Sequence, residues 1–403
     1  MKSRSKLTLK TILQRNDNWW RFYEEFKPRI RPAITSAVVN LLSCGNTVRG
    51  FIGFSCENPN CSHTKRIPFS CKNRLCSSCG KKATAIWIHK QTRHFPEAPY
   101  QHITFTMPCE FWDLFWHNRF LQNLICALAA DCIKTIAKKY GVTTGIFLAI
   151  HTFGRDLKRN VHIHLCVAMG GLIDNYSKWK TLPKFNKYTL MPLWRTRIIQ
   201  LLRKQYKKGA LMLPKSLAHL QQNYTDFNQF LDFHYKRFWN VYCAAPEKNH
   251  IRNTEYLARY IKRPAIANSR LMHYAGADVR FWFFDHKTKT KRTFTCSAFD
   301  FIRRVIQHVP DKGFRLIRYY GFLANALRSK LLPIVNKLLN LPTKKENRTT
   351  VTHSQLMQQA FNFNPLKCIL CGASLQSTNI CFGVTQTELL GFHKQLASMK
   401  PCR

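Results

Sequence analysis

Acidic residues are scarce in this 403-residue chain: 20 Asp and Glu stand against 64 Lys and Arg, for a formal charge of +44. Basic residues run from Lys2 to Arg403 with little to neutralise them, so a polyanion is the natural partner. Long apolar runs are missing as well. No stretch of about 18 apolar residues offers a membrane span, and no amphipathic segment is basic on one side only. The basic start, MKSRSKLTLKTILQRND, lacks the apolar stretch of about 7 to 15 residues that a secretory signal needs. There is no internal repeat and no long low-complexity tract. These absences set aside a membrane protein, a secreted protein and a repeat array, and leave a soluble intracellular protein long enough for two or three domains.

Cysteine, by contrast, is plentiful and clustered. Of 16 cysteines, Cys56, Cys61, Cys71, Cys76 and Cys79 fall close together, Cys368, Cys371 and Cys381 form a second group, and Cys126, Cys132 and Cys166 sit alone in apolar contexts. In an intracellular chain clustered thiols suggest metal, and isolated ones suggest core packing. Zinc takes four ligands at tetrahedral corners, and two cysteines separated by two residues supply half of that set in one turn. Cys76-Ser77-Ser78-Cys79 has this spacing, and Cys56 and Cys61 form the other arm. The preferred zinc site is therefore Cys56, Cys61, Cys76 and Cys79, with Cys71 and His63 as alternates. Cys368 and Cys371, with Cys381 as a third ligand, outline a C-terminal zinc site whose fourth ligand would be His393 or Cys402; an ordinary pair of thiols is the competing reading.

Hydrophobic periodicity suggests helices over the first 43 residues and over 82–94, 111–140, 192–208, 224–240, 251–263, 297–308 and 316–340. It suggests strands at 102–107, 145–153, 160–167, 278–285 and 291–296, an insertion loop at 172–190 and a linker at 341–352. The basic turn from Gly154 to Arg159 makes an antiparallel hairpin of the second and third strands. Trp19, Trp20, Tyr23 and Phe26 sit among charges. They read either as platforms for stacked bases or as core.

Residues two apart in a strand share a face, so His162 and His164 present two imidazoles to one side while Ile163 faces the other. Two imidazoles can bind a divalent cation. A third ligand is needed, for which His151 across the hairpin is the first candidate, ahead of Asp285 or His286; the competing reading of each is an ordinary strand or turn residue. Residues four apart on a helix also share a face, so Tyr256 and Tyr260 can point two phenols into one site. Arg259, Lys262 and Arg263 lie beside them to hold phosphates, as do Lys72 and Arg74 in the cysteine module. Either motif alone is commonly structural. Together, in so basic a chain, they outline strand transfer: a cation on His162 and His164 polarises a phosphodiester, and a tyrosine attacks to leave a 5′-phosphotyrosine and a free 3′-OH.

Several stretches, in order, resemble the rolling-circle transposases typified by insertion sequence ninety-one, within the HUH (His-hydrophobic-His) endonuclease superfamily. They are Ser70 to Cys76 followed by Cys79, His151-Thr152-Phe153-Gly154 leading to His162-Ile163-His164, Tyr256-Leu257-Ala258-Arg259-Tyr260 with Arg263-Pro264-Ala265-Ile266, Phe301 to Arg304 with His308-Val309-Pro310, and Arg318-Tyr319-Tyr320-Gly321. The resemblance implies an α+β fold with a ferredoxin-like nuclease core, a central antiparallel sheet and a zinc-binding N-terminal domain. It further implies Mg²⁺ or Mn²⁺ on His162 and His164, Zn²⁺ as a structural ion, Tyr256 and Tyr260 as nucleophiles, and single-stranded element ends and target DNA as partners. A cytoplasmic, nucleoid-associated location in a bacterium follows, with self-association open. The expected domains are a helical segment at 1–50, a zinc-binding domain at 51–95, the nuclease at 96–310, a helical extension and linker at 311–350 and a tail at 351–403. The rival functions are a plasmid replication initiator or relaxase with the same nicking chemistry, a non-catalytic zinc-dependent nucleic-acid binder, and a metal-dependent hydrolase without a covalent intermediate.

Overall fold

The computed structural model describes residues 7–92, 95–249, 255, 263–285, 288–341 and 352–399. Strands are numbered in chain order: β1 (Gly50–Cys56), β2 (Thr64–Pro68), β3 (Tyr100–Phe105), β4 (Val142–Phe153), β5 (Arg159–Ile173), β6 (Trp179–Thr181), β7 (Val241–Cys243), β8 (Leu271–Tyr274), β9 (Asp278–Asp285), β10 (Thr290–Ser297), β11 (Ile317–Gly321) and β12 (Leu375–Phe382). The fold is the expected mixture of helices and antiparallel sheet.

The central sheet has the order β11-β4-β5-β3-β7, with β6 paired to β5. Its long hairpin β4–β5 is buried on both faces, and the two-residue period of a strand sorts the side chains. Ile146, Leu148 and Ile150 lie opposite Val167, Leu165 and Ile163, and all six join a core with the helices Glu110–His117, Leu121–Lys139, Lys187–Lys207 and Tyr224–Lys236. The intervening residues Phe147, Ala149, Cys166 and Ala168 face the other way, into a smaller core with Trp87, Phe95, Phe322 and Leu331. That second face also carries the histidines.

A third core gathers segments from both ends of the chain. The helices Leu9–Gln14, Asn18–Phe26 and Pro32–Leu42 pack with β8, β9, the helix Ala298–Ile306 and the C-terminal residues Leu389, Leu396 and Ala397. Trp19 is fully buried there and donates its Nε1–H to His393 Nε2 at 2.5 Å. Of the two readings of the N-terminal aromatics, core packing is what folds: Trp20, Tyr23 and Phe26 rest against the same cluster. His393 is occupied by this ring stack, so it is not the fourth ligand of a C-terminal zinc site. Cys402, the other candidate, lies outside the described residues.

The scarce acids serve as ties between elements. Asp311 pairs with both Arg31 and Arg119, Asp113 with Arg159 at 2.6 Å, and Asp131 with Arg197 at 2.8 Å. None of the described helices is long and apolar enough to cross a membrane.

Four expectations drawn from periodicity and composition need correction. Residues 316–340 are not one helix: Ile317–Gly321 forms β11 against β4, and only Arg328–Leu338 is helical. Gly321 ends the strand with φ +63°, where any side chain would collide with the Thr144 carbonyl. The run 111–140 breaks at Asn118, which leaves helical geometry (φ −109°, ψ 67°) and bonds back to the Leu114 carbonyl at 2.8 Å. The supposed loop 172–190 contains the end of β5, all of β6 and the start of the helix Lys187–Lys207, capped by Asn186 accepting from Thr189 N at 3.0 Å. Nor is the C-terminal segment a separate tail. β12 pairs with β1 along its whole length, because β1 otherwise has a free edge on the side away from β2.

Candidate active site and metal centres

The histidines are positioned by the turn of the β4–β5 hairpin. Gly154 N donates to the Lys158 carbonyl at 2.9 Å and Leu157 N to the Gly154 carbonyl at 3.1 Å, while Leu157 takes a left-handed conformation (φ 65°). That conformation sends the Leu157 side chain into the third core, where it is fully buried. Its carbonyl accepts from Gln307 Nε2 at 3.2 Å and lies 3.1 Å from His308 Nε2. The turn thus nails the hairpin onto the helix Ala298–Ile306 and its C-terminal extension. Leu157→Ala should lower stability by about 2 to 5 kcal/mol, the usual cost of emptying a buried leucine site; a denaturant midpoint unchanged from wild type would show that the turn is not anchored in this way.

In the hairpin His151 lies directly opposite His162, and Ala149 opposite His164, so all three imidazoles share one face. The register slips between His151 and Phe153. Such a bulge re-aims side chains at the edge of a site. The ligand nitrogens of His151, His162 and His164 lie within 4.8 Å of one another, and His162 Nε2 is 3.1 Å from His164 Nε2. Two imidazoles at about 2.1 Å from one cation, set at right angles, stand roughly 3.0 Å apart, so this spacing suits neighbouring ligands of an octahedral ion.

Hydrogen bonds fix which nitrogens are available. His162 Nδ1 is 2.9 Å from the Asn160 carbonyl, which can only accept, so Nδ1 carries the proton and Nε2 keeps a lone pair. Burial pushes the pKa of His162 down to about 4, and burial followed by its two histidine neighbours pushes His164 well below the ordinary value. Both rings are neutral at pH 7, as ligands must be. Sequence reasoning missed a fourth histidine. His102 on β3, with its Nε2 3.1 Å from His164 Nδ1, can accept that nitrogen's proton and so orient His164 Nε2 toward the other rings. Its signal was the β3 alternation that puts His102 and Thr104 on one face.

Asp285 is instead paired to Arg292 at 3.1 Å at the far end of β9, and His286 lies outside the described residues. Tyr256, Arg259, Tyr260 and Lys262 also lie outside them. Arg263, three residues after Tyr260, is described: its carbonyl accepts from Arg74 Nε at 3.1 Å, and the Arg74 guanidinium lies over the Phe153 ring at 5.9 Å. The chain that follows the tyrosine pair therefore returns to the edge of the histidine hairpin. Burial lowers the Arg74 pKa to about 10, and its contacts make it a strut more than an open phosphate ligand. Lys72, by contrast, is exposed. It lines a cleft of about 710 Å³ together with Arg74, Phe153, Pro264, His308 and Lys312.

The cysteines divide differently from the expected set. Cys44, Cys71, Cys76 and Cys79 form one group, and Cys56, Cys61, Cys368 and Cys371 another. The expected set Cys56, Cys61, Cys76, Cys79 is split because β1 carries Cys56 away from the turn that holds Cys76. Cys44, just after the third helix, lies with Cys71, Cys76 and Cys79 instead. In the first group Cys44 lies 3.7 Å from both Cys76 and Cys79, and Cys71 lies 3.5 Å from Cys79. Four thiolates at about 2.3 Å from one zinc would stand roughly 3.8 Å apart. Crowding couples their ionisation: hydrogen bonds from Cys71, Cys76 and Cys79 hold Cys44 far below the usual thiol range, and contact with Cys44 pushes Cys71 far above it. Cys381 is not among either group. It sits within β12 opposite Phe51, and His63 lies 3.2 Å from Cys368 Sγ beside the second group.

Residues 15–107 match the IS91-type "Transposase zinc-binding domain", a span that holds six of the clustered cysteines, from Cys44 to Cys79. Residues 145–330 match the Y2_Tnp family, "Putative transposase", a span that includes His151, His162, His164, Tyr256 and Tyr260. The chain is 38% identical to the "Transposase for insertion sequence element IS801" of Pseudomonas savastanoi pv. phaseolicola, over 97% of this chain and 94% of that protein. It is 31% identical to "Putative transposase y4qJ" of Sinorhizobium fredii, over 72% of this chain and 74% of that one. No solved structure matches it. Histidines converging on one face of a sheet, a cysteine module packed ahead of them and likeness along almost the whole chain lead to one conclusion: the protein belongs to the IS91 and IS801 family of insertion-sequence transposases, with an N-terminal zinc-binding domain.

Proposed function

We propose that this transposase nicks single-stranded DNA at the ends of its element through a 5′-phosphotyrosine intermediate and passes the strand to a target. The observation that carries the reading is the convergence of His151, His162 and His164 on one sheet face, two of them with Nε2 atoms 3.1 Å apart. A divalent cation held there, Mn²⁺ or Mg²⁺, would supply a Lewis acid for a non-bridging phosphate oxygen. His102 and the Asn160 carbonyl keep the ligand nitrogens aimed. Tyr256 or Tyr260, as the phenolate, attacks phosphorus in line; the tyrosine–phosphate bond forms as the bond to the 3′ oxygen breaks, and that oxygen leaves with a proton as a 3′-OH. The phosphodiester energy is retained in the tyrosyl ester, so rejoining needs no ATP. The tie from Arg263 through Arg74 to Phe153 supports delivery of the tyrosines to the histidine face, and Lys72 and Lys312 provide exposed charge along the adjoining cleft.

Nicking of a labelled single-stranded oligonucleotide that carries an element end tests this reading. Cleavage should require Mn²⁺ or Mg²⁺, stop with chelator and return when the metal is restored. Undiminished cleavage in chelator would remove the cation from the mechanism.

We also propose that Cys44, Cys71, Cys76 and Cys79 hold the structural zinc of the N-terminal domain. Cys76→Ser should cost one zinc per chain and, because these thiols lie in the third core, lower the melting temperature. Elemental analysis with a thermal melt checks both; full zinc content in the variant would dismiss this ligand set.

A further inference from the structure

Half of the second cysteine group lies outside the zinc-binding domain match, which ends at residue 107. We propose that Cys56, Cys61, Cys368 and Cys371 bind a second zinc ion, a clamp that fastens the C-terminal segment to the N-terminal module. Cys56 Sγ lies 3.3 Å from Cys371 Sγ, and Cys61 Sγ lies 3.8 Å from Cys368 Sγ, although the latter pair is 307 residues apart in sequence. These separations are far longer than the roughly 2.05 Å of a disulfide and near the roughly 3.8 Å edge of a four-thiolate zinc site.

Each arm is built for the purpose. After Cys368 the chain turns back on itself: Gly372 takes φ +77° and donates its N–H to the Cys368 carbonyl at 3.1 Å, so Cys368 and Cys371 face the same point. Leu370 N donates to Cys368 Sγ at 3.4 Å, a bond that favours the thiolate. On the other arm Cys61 N donates to the Asn58 carbonyl at 2.9 Å, which closes the loop between β1 and β2 over Cys56. The backbone registers the two arms against each other: Cys56 lies opposite Leu375 in the β1–β12 ladder, and Glu57 N donates to the Ser374 carbonyl at 3.0 Å.

The clamp reaches toward the DNA-handling face. β12 leads directly to the helix Gln386–Gly391, whose Gln386 and Leu390 line the same cleft as Lys72 and His308. Zinc at the far end of β12 holds that wall in place against the loss of chain entropy that a long loop closure costs.

The test uses the full chain, purified under reducing conditions and counted for zinc by elemental analysis. Wild type should carry two zinc ions per chain. The Cys56→Ser/Cys371→Ser double variant should carry one, Cys79→Ser should carry one, and the Cys109→Ser control, at an exposed thiol outside both groups, should keep two. Loading with Co²⁺ gives an independent readout that needs no activity: the double variant should lose half of the thiolate-to-cobalt absorption and retain the rest, which also shows that the first centre is still folded. One zinc in the wild type, two in the double variant, or a mass 2 Da low from a disulfide would each overturn the clamp. The first two outcomes leave the transposase reading untouched, because the histidine site shares no ligand with this group.

Discussion

His164→Ala should abolish cleavage while leaving the fold intact. Its ring is the hub of the site: Nε2 faces His162 Nε2 at 3.1 Å, and Nδ1 is 3.1 Å from His102 and 3.3 Å from Thr104 Oγ1. On the proposed reading alanine removes one ligand and the link through which His102 orients it. Lewis-acid stabilisation is worth several kcal/mol, and about 4 kcal/mol corresponds to roughly a thousandfold in rate. His162→Ala should lose as much. His102→Gln should cost less, roughly ten- to a hundredfold, as is usual for a group that orients a ligand, and the loss should be eased by raising Mn²⁺. Single-turnover nicking across a metal titration separates these cases: a metal-dependent shift for His102→Gln and a flat floor for His164→Ala. Equal floors for both, or full activity for His164→Ala with circular dichroism unchanged, would contradict this account of the site.

The tyrosine pair makes the second large prediction. Tyr256→Phe and Tyr260→Phe each remove one hydroxyl, and each should abolish complete strand transfer. The double variant should form no covalent product at all, a loss below detection, because neither phenyl ring can attack phosphorus. With two nucleophiles, one tyrosine can keep the first cleaved strand while the other opens the second, so a single variant should still trap one strand. Full strand transfer by either single variant would remove the two-nucleophile mechanism and leave a one-tyrosine reaction.

Some of this was legible in the sequence, for reasons the structure makes concrete. His162 and His164 share a face by the two-residue period, and the short basic turn after Phe153 was enough to bring His151 back across the hairpin. His102 was not legible in the same way: it reaches His164 through β3–β5 pairing across 62 positions, and periodicity says nothing about which strands pair. The cysteines failed for a related reason. Spacing alone grouped near neighbours, whereas the β1–β2 hairpin carries Cys56 and Cys61 to ligands from the other end of the chain and leaves a corner for Cys44. Ile317–Gly321 shows no clean alternation and sits before a strong helical pattern; only its place at the edge of β4 decides it. Family likeness could be read from ordered motifs because each keeps local spacing, which is the one kind of information a single sequence carries directly.

A covalent protein–DNA adduct is what distinguishes this reaction from simple hydrolysis. The wild-type protein is incubated with a 5′- and 3′-labelled single-stranded oligonucleotide bearing an element end, with Mn²⁺, and resolved under denaturing conditions, followed by peptide mass spectrometry of the retained species. The account predicts a protein–DNA adduct carrying the DNA downstream of the nick through a 5′-phosphate on Tyr256 or Tyr260, with a free 3′-OH on the released fragment. Cleavage that yields a 5′-phosphate and no adduct, or an adduct on any other residue, would contradict it.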